Sequence, residues 1–326
     1  MKFSREEVSS MEIKARAPVR IDFAGAWTDV KYFFKPFGGA TLNATINRYV
    51  TGTLETNEGT ITERKMMQVP GHRVAELCSP AGLRVSYETD MPAGSGLGTS
   101  ATLNVVWLSL VKQTRLETRE QKEEIAGRAY DIEKTLGIIG GKQDQYASAV
   151  GGINLFEFQT SGVVITHPVN LSDSQVSELE SRLVVCYTGE SRLSSNIHEN
   201  VWGNFRRGRH ETVDALFTLR DSAYAGKEIL EGSRWDEFGP LLTRQFECMK
   251  HLDSSTTNAT VEGLFDLVAS DTSGGKPCGA GGGGCLLFCC KDPAGKAYVQ
   301  SKIRDAGFRV IDFALEFEGL TTTLEE

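Results

Sequence analysis

Met91-Pro92-Ala93-Gly94-Ser95-Gly96-Leu97-Gly98-Thr99-Ser100-Ala101 is the stretch on which the fold turns. Three glycines alternate with other residues, and a run with helical periodicity, 100–112, follows at once. Glycines let backbone N–H groups approach a ligand without interference from a Cβ. A helix starting near Thr99 adds unpaired N–H donors and the positive end of its dipole. Together they make an anion cradle suited to phosphate. The spacing is G-x-G-x-G, not the dinucleotide G-x-G-x-x-G, and no G-x-x-x-x-G-K-[ST] occurs in the chain. A tight strand-to-helix turn with no ligand is the competing reading of this segment alone.

Around this bend the chain alternates strand and helix signals. Upstream, 13–24, 48–56 and 83–89 are rich in β-formers, the first with mixed alternation. Downstream, 118–136 is a second helix opened by a capping signature, Thr118 with Gln121. A short helix at 142–150 and strands at 152–158 and 163–169 follow. Residues 170–181 are polar and read as a joint, and 182–188 opens a second unit. Residues 194–268 read as mostly helical, with breaks near Gly232 and Asp253. A glycine-rich loop, strand 285–290, helix 293–306 and strand 309–316 complete the pattern. Strand–loop–helix alternation in both halves implies two α/β or α+β domains, 1–180 and 181–326.

A length of 326 residues suits two domains. Lys+Arg is 35 and Asp+Glu 43, a net charge of −8, so bulk charge would not draw the chain to nucleic acid. A hydrophobic fraction of 40% with 24% charged residues is an ordinary globular balance. No stretch approaches the ~20 apolar residues of a membrane span, and 1–10 lack an apolar signal region. The expectation is a cytoplasmic protein without membrane or nucleic-acid partners, as monomer or homodimer. The seven cysteines are odd in number and form no C-x-x-C pair, so free buried thiols are expected.

Three further segments carry chemistry. Pro18-Val19-Arg20-Ile21-Asp22-Phe23-Ala24-Gly25-Ala26-Trp27-Thr28-Asp29 puts acids near a strand end, where carboxylates can accept from sugar hydroxyls or simply form surface ion pairs. Gly140-Gly141-Lys142-Gln143-Asp144-Gln145 sets an acid at a helix start, for chemistry or for the dipole. Gly274-Gly275-Lys276-Pro277-Cys278-Gly279-Ala280-Gly281-Gly282-Gly283-Gly284 holds seven of the 34 glycines. Four in a row carry a heavy entropy cost, which favours close approach to a ligand or another loop.

In this order the segments resemble the GHMP small-molecule kinases: P-x-R near the start, PAGSGLGTSA in the middle and KPCGAGGGG late, spanning about 14–290. The resemblance implies an α+β, two-domain fold, an N-terminal domain like ribosomal protein S5 domain 2 and a ferredoxin-like C-terminal domain. It implies ATP and Mg²⁺, with the phosphates on Pro92, Gly94, Ser95, Gly96, Leu97, Gly98, Thr99 and Ser100. Ser100 and Glu133 would hold the metal. Asp144 would serve as base or orienting acid, with Lys142 beside it. Arg20, Asp22, Trp27, Thr28, Asp29, Gly281 and Gly282 would line the substrate end, and 279–284 would close on the phosphate loop. Thr99 departs from the family's usual Ser-Ser. AGAWTD departs from the GEHTD of galactokinase. RIDFAGAWTDV and YTGESR are closer to L-fucose kinase, and GKQDQYASAVGG is similar to D-glycero-D-manno-heptose 7-phosphate kinases.

The implied activity is transfer of the ATP γ-phosphate to a sugar hydroxyl, the anomeric one, on a heptose 7-phosphate or fucose-like sugar. Lys14, Arg16, Arg48, Arg192 and Arg206 are candidates for holding a phosphate the sugar already carries. Three alternatives stay open: a non-catalytic sugar and ATP sensor, a galactokinase-like or mevalonate-pathway kinase, and a decarboxylase of the diphosphomevalonate type.

Overall fold

The computed structural model describes residues 12–56, 66–69, 72–75, 77–78, 83–92, 94–112, 116–190 and 194–325. Strands β1 (Glu12–Ala24) and β2 (Gly39–Thr56) flank the short helix α1 (Lys31–Phe37). β3 (Met66–Val69) and β4 (His72–Ala75) pair with each other, and β5 (Leu77–Cys78) pairs with β6 (Leu83–Thr89). Helices α2 (Thr99–Lys112), α3 (Arg119–Thr135) and α4 (Gln143–Val150) precede β7 (Ile153–Phe158) and β8 (Val164–Pro168). β2 is long enough to take two partners on one edge: residues 39–44 pair with β7 and 50–56 with β6.

A register shift between Pro18 and Val19 explains the mixed alternation of β1. Before it, Ile13, Ala15 and Ala17 pack with Val105, Val106 and Leu110 of α2 and with α3. After it, Val19, Ile21 and Phe23 join a different core, with Leu42, Phe238 and Leu287. A bulge flips which face odd-numbered residues occupy. Arg20 and Asp22 thereby leave the second core and turn toward the glycine bend.

The polar stretch 170–181 connects the first sheet to the second through a helix. It holds helix α5 (Asp173–Arg182), opened by a complete capping box between Ser172 and Gln175. β9 (Leu183–Tyr187) begins the second sheet. Then come α6 (Ser194–Arg206), α7 (His210–Glu231), α8 (Trp235–Leu252), α9 (Ala259–Val268), β10 (Thr272–Pro277), β11 (Cys285–Cys290), α10 (Lys296–Asp305), β12 (Arg309–Ile311) and β13 (Thr321–Glu325). The antiparallel order β10-β11-β9-β12 makes β9–β12 a βαββαβ unit of ferredoxin-like topology.

Three further expectations shift. Gly274 and Gly275 belong to strand β10, where a Cβ on Gly274 would lie 2.0 Å from the Gly239 carbonyl oxygen of α8. Helix–strand contact, not a ligand, requires that glycine. The strand expected over 309–316 stops at Ile311. Finally, β13 pairs antiparallel with β1, so the stretch 181–326 ends inside the first sheet. Cys186, Cys248, Cys278, Cys285, Cys289 and Cys290 are free and buried.

Candidate active site

A cavity of about 290 Å³ lies between the glycine bend and the second sheet's glycine loop. Its floor is the bend. Gly94, Gly96 and Gly98 all take positive φ, at 71°, 75° and 79°, and α2 starts directly after them. A side chain at these positions would be strained, which leaves the backbone N–H groups and the α2 N-terminus open to the cavity. Gly94, Ser95, Gly96, Gly98, Thr99 and Ser100 line it. Pro92 and Leu97 do not. Leu97 is fully buried in the core, and its carbonyl accepts from the Arg20 N–H.

The roof is the loop after β10. It locks onto the bend through backbone: Cys285 N–H donates to Ser95 O at 2.7 Å, and a Cβ on Gly279 would lie 2.8 Å from Gly96 O. Gly279, Ala280 and Gly281 line the cavity. Gly282 does not, and its N–H bonds Thr256 O at 2.6 Å. A Cβ on Gly281 would meet Thr256 O at 2.4 Å, one on Gly283 would meet Glu190 O at 2.9 Å, and one on Gly284 would meet Ser95 O at 2.8 Å. These glycines let loops pack at backbone distance.

Asp144 stands in the first turn of α4 with its carboxyl against the bend. A Cβ on Gly98 would sit 3.1 Å from both its Cγ and Oδ2. Arg20 holds the other oxygen: Nε and Nη2 lie 2.8 and 2.6 Å from Asp144 Oδ1, while Nη1 donates to Gly96 O at 2.7 Å. One buried guanidinium therefore sets the acid and the glycine bend at a fixed spacing. Its planar fork suits two partners at once.

Asp29 also lines the cavity, and its Oδ2 accepts from Gln143 N–H at 3.0 Å, capping α4. A Cβ on Gly141 would overlap that carboxyl at 1.7 Å, so the glycine is required there. Burial pushes the Asp29 carboxyl up to about 7, against the Gln143 bond. Glu133 faces the same cavity, bonded by Asn104 Nδ2 and Gln145 Nε2, both at 2.8 Å. Burial raises it, too, to about 7.

Besides Pro92, Leu97 and Gly282, three more expected site residues lie elsewhere. Lys142 is two residues from Asp144, but its ammonium donates to Gly162 O and lies 5.1 and 5.3 Å from the Tyr130 and Phe34 ring centres. It is not a cavity residue, and Arg20 is the cation that meets Asp144. Asp22 is fully buried, ion-paired with Lys276 and accepting from Gly279 N–H at 2.9 Å. It ties the roof to β1 and has no oxygen left for a sugar. Thr28 is buried as well, its hydroxyl bonded to Gly25 O and Ala40 O. Of the candidates for a distal phosphate, Lys14, Arg16, Arg48 and Arg206 do not line the cavity, and Arg192 lies outside the described residues.

Trp27 does line it, held at φ 81°. Sequence reasoning missed the residue beside it, His198 of α6, whose ring centre lies 4.6 Å from Trp27. It also missed Gln143 and Gln145, which line the cavity from α4. No spacing links His198 to the glycine motifs, so only the packing of α6 reveals it.

A phosphate cradle at a helix N-terminus, a carboxylate held against it and a closing glycine loop are the parts of a small-molecule phosphotransferase. Residues 65–152 match the GHMP kinases N terminal domain. The chain is 30% identical to D-glycero-alpha-D-manno-heptose 7-phosphate kinase of Campylobacter jejuni, over 94% of this chain and 98% of that one. It is 27% identical to the bifunctional fucokinase/GDP-fucose pyrophosphorylase of Arabidopsis thaliana, over 86% of this chain and 30% of that one. A solved D-glycero-D-manno-heptose 1-phosphate kinase from Bacteroides thetaiotaomicron superposes with a TM-score of 0.74 at 25% identity, covering 95% of this chain and 98% of that one. The chain belongs to the GHMP kinase family. It is a phosphotransferase with an alcohol group as acceptor.

Proposed function

We propose that the protein transfers the γ-phosphate of ATP to the anomeric hydroxyl of a heptose 7-phosphate or a fucose-like sugar. The observation that carries this is the Asp144 carboxyl pinned by Arg20 against Gly98. The sugar reading draws on the names of the relatives and on the cavity wall of Trp27, Asp29 and His198.

In this reading the backbone of 94–100 and the α2 N-terminus hold the phosphates. The sugar oxygen forms a bond to the γ-phosphorus as the bond to the β-phosphate oxygen breaks and ADP leaves. Asp144 Oδ2, the oxygen Arg20 does not engage, receives or orients the hydroxyl proton. The division of labour is 1–180 for nucleotide and 181–326 for closure, with β13 rejoining the first sheet.

Mg²⁺ fits the residues present. Ser100 and Glu133 offer hard oxygen donors on one cavity, and a carboxyl pushed up to about 7 by burial is one a cation would recharge. Among the described residues no group of three or more potential ligands forms a cage. Mg²⁺ suits this, since it usually takes one or two protein oxygens plus phosphate and water. When bound it would neutralise charge on the transferring group.

The test is a coupled ADP-release assay on D-glycero-D-manno-heptose 7-phosphate, L-fucose and galactose, with Asp144→Asn as the control. Loss of a proton-transfer group lowers kcat about 10²–10⁴-fold. A variant with wild-type turnover would remove Asp144 from this role.

A further inference from the structure

One cavity residue has a polar atom without a protein partner and a geometry that fixes what that atom can offer. His198 lies one turn before Trp202 on α6, and the Trp202 indole N–H donates to His198 Nδ1 at 3.3 Å. An indole nitrogen only donates, so Nδ1 must be bare. Burial keeps the ring neutral, lowering it to about 4. A neutral imidazole with a bare Nδ1 carries its proton on Nε2. Among the described residues, nothing accepts that proton.

The ring cannot easily turn. Trp202 is 1% exposed and packs on Tyr32, Phe205 and Trp27, with ring centres 5.4, 5.8 and 6.2 Å away. Trp27 backs the imidazole at 4.6 Å. A tryptophan at φ 81° is a strained backbone, of the kind that persists where the surroundings demand it at a functional wall. Its own Nε1 is buried with no partner among the described residues. Two aromatic nitrogens at this wall thus lack acceptors among the described residues.

We propose that His198 is a sugar-recognising residue, presenting a fixed Nε2–H donor, backed by the Trp27 ring, to a lone-pair oxygen of the acceptor sugar. This rests on the sugar-kinase reading above and adds to it a specificity-determining side chain. It selects an acceptor oxygen at one sugar position and leaves nucleotide binding untouched.

The test uses full-length protein with heptose 7-phosphate and L-fucose. His198→Phe keeps a ring and removes the donor. His198→Asn is too short to reach and serves where the Phe variant does not fold. His198→Gln restores a donor. The sugar KM rises about 10-fold in Phe or Asn, as for a lost hydrogen bond that leaves a partner unpaired. The ATP KM and kcat stay within about threefold, and Gln recovers part of the loss. Sugar affinity without nucleotide, read from tryptophan fluorescence, falls in step. A folded Phe or Asn variant with an unchanged sugar KM overturns the proposal, as does a matching rise in the ATP KM. Wild-type protein that phosphorylates no sugar in the panel overturns the underlying reading instead, and this inference falls with it.

Discussion

Asp22→Asn separates the two roles that a sequence can suggest for this acid. The substitution is isosteric and keeps an oxygen for the Gly279 N–H, which now sits 2.9 Å from Oδ1. It removes the charge opposite Lys276, whose ammonium also donates to the Asp22 carbonyl at 3.0 Å. Both side chains are essentially without solvent contact, at 0% and 1% exposure, so water cannot replace the lost partner. Breaking a buried pair from one side costs about 3–5 kcal/mol. The expected loss is therefore about 3–5 kcal/mol. With an unfolding entropy of ~2.1 cal/mol/K per residue, the chain's 326 residues convert this into a fall of about 4–7 °C in Tm. Lys276→Met added to Asp22→Asn recovers part of the loss, a coupling of about 1–3 kcal/mol. Differential scanning calorimetry of the wild type, Asp22→Asn, Lys276→Met and the double variant measures all of this. An unchanged Tm joined to a selective rise in sugar KM would refute the reasoning and return Asp22 to the substrate.

Other expectations follow from the same geometry. Gly98→Ala combines a positive φ, at ~1–2 kcal/mol, with a Cβ 3.1 Å from the Asp144 carboxyl. Displacing that acid should lower kcat about 100-fold with a smaller change in sugar KM, read by steady-state kinetics. Lys142→Met should leave kcat within about threefold and lower stability by about 1 kcal/mol, the worth of its bond to Gly162 O, read by urea denaturation. Asp29 has a folded pKa of about 7, while the unfolded value is near 3.9. Between about pH 4 and 7 the folded state therefore binds more protons, and stability falls as pH rises through that window. Asp29→Asn should flatten that part of the fall, as urea midpoints from pH 4 to 8 will register.

How much of this was legible beforehand depends on whether the information is local. The glycine bend and α2 follow from adjacent residues, so PAGSGLGTSA could be read directly. The same logic was available for α5: Ser172 and Gln175 form the capping box that Thr118 and Gln121 form at α3. The low apolar content of 173–182 hid it, because that helix buries only Leu179. The β1 face change was visible as irregular alternation, but the bulge that causes it is a property of pairing with β2. Asp22 and Lys142 show the harder limit. Each carries the right chemistry within a few residues of the site, yet a bulge and a helix start decide where each charge goes. Arg20 and Asp144 are 124 positions apart, and His198 follows Gly98 by 100 positions (198 − 98). Proximity in sequence favoured Lys142 as the cation for Asp144, whereas the fold chose Arg20. That choice has a physical basis: a guanidinium on a strand can reach a carboxylate and a backbone carbonyl together, whereas an ammonium at the start of α4 is drawn to the Tyr130 and Phe34 rings. The catalytic spacing therefore belongs to the β1–α4 contact, and residues that set this contact should govern turnover as strongly as those that touch ATP.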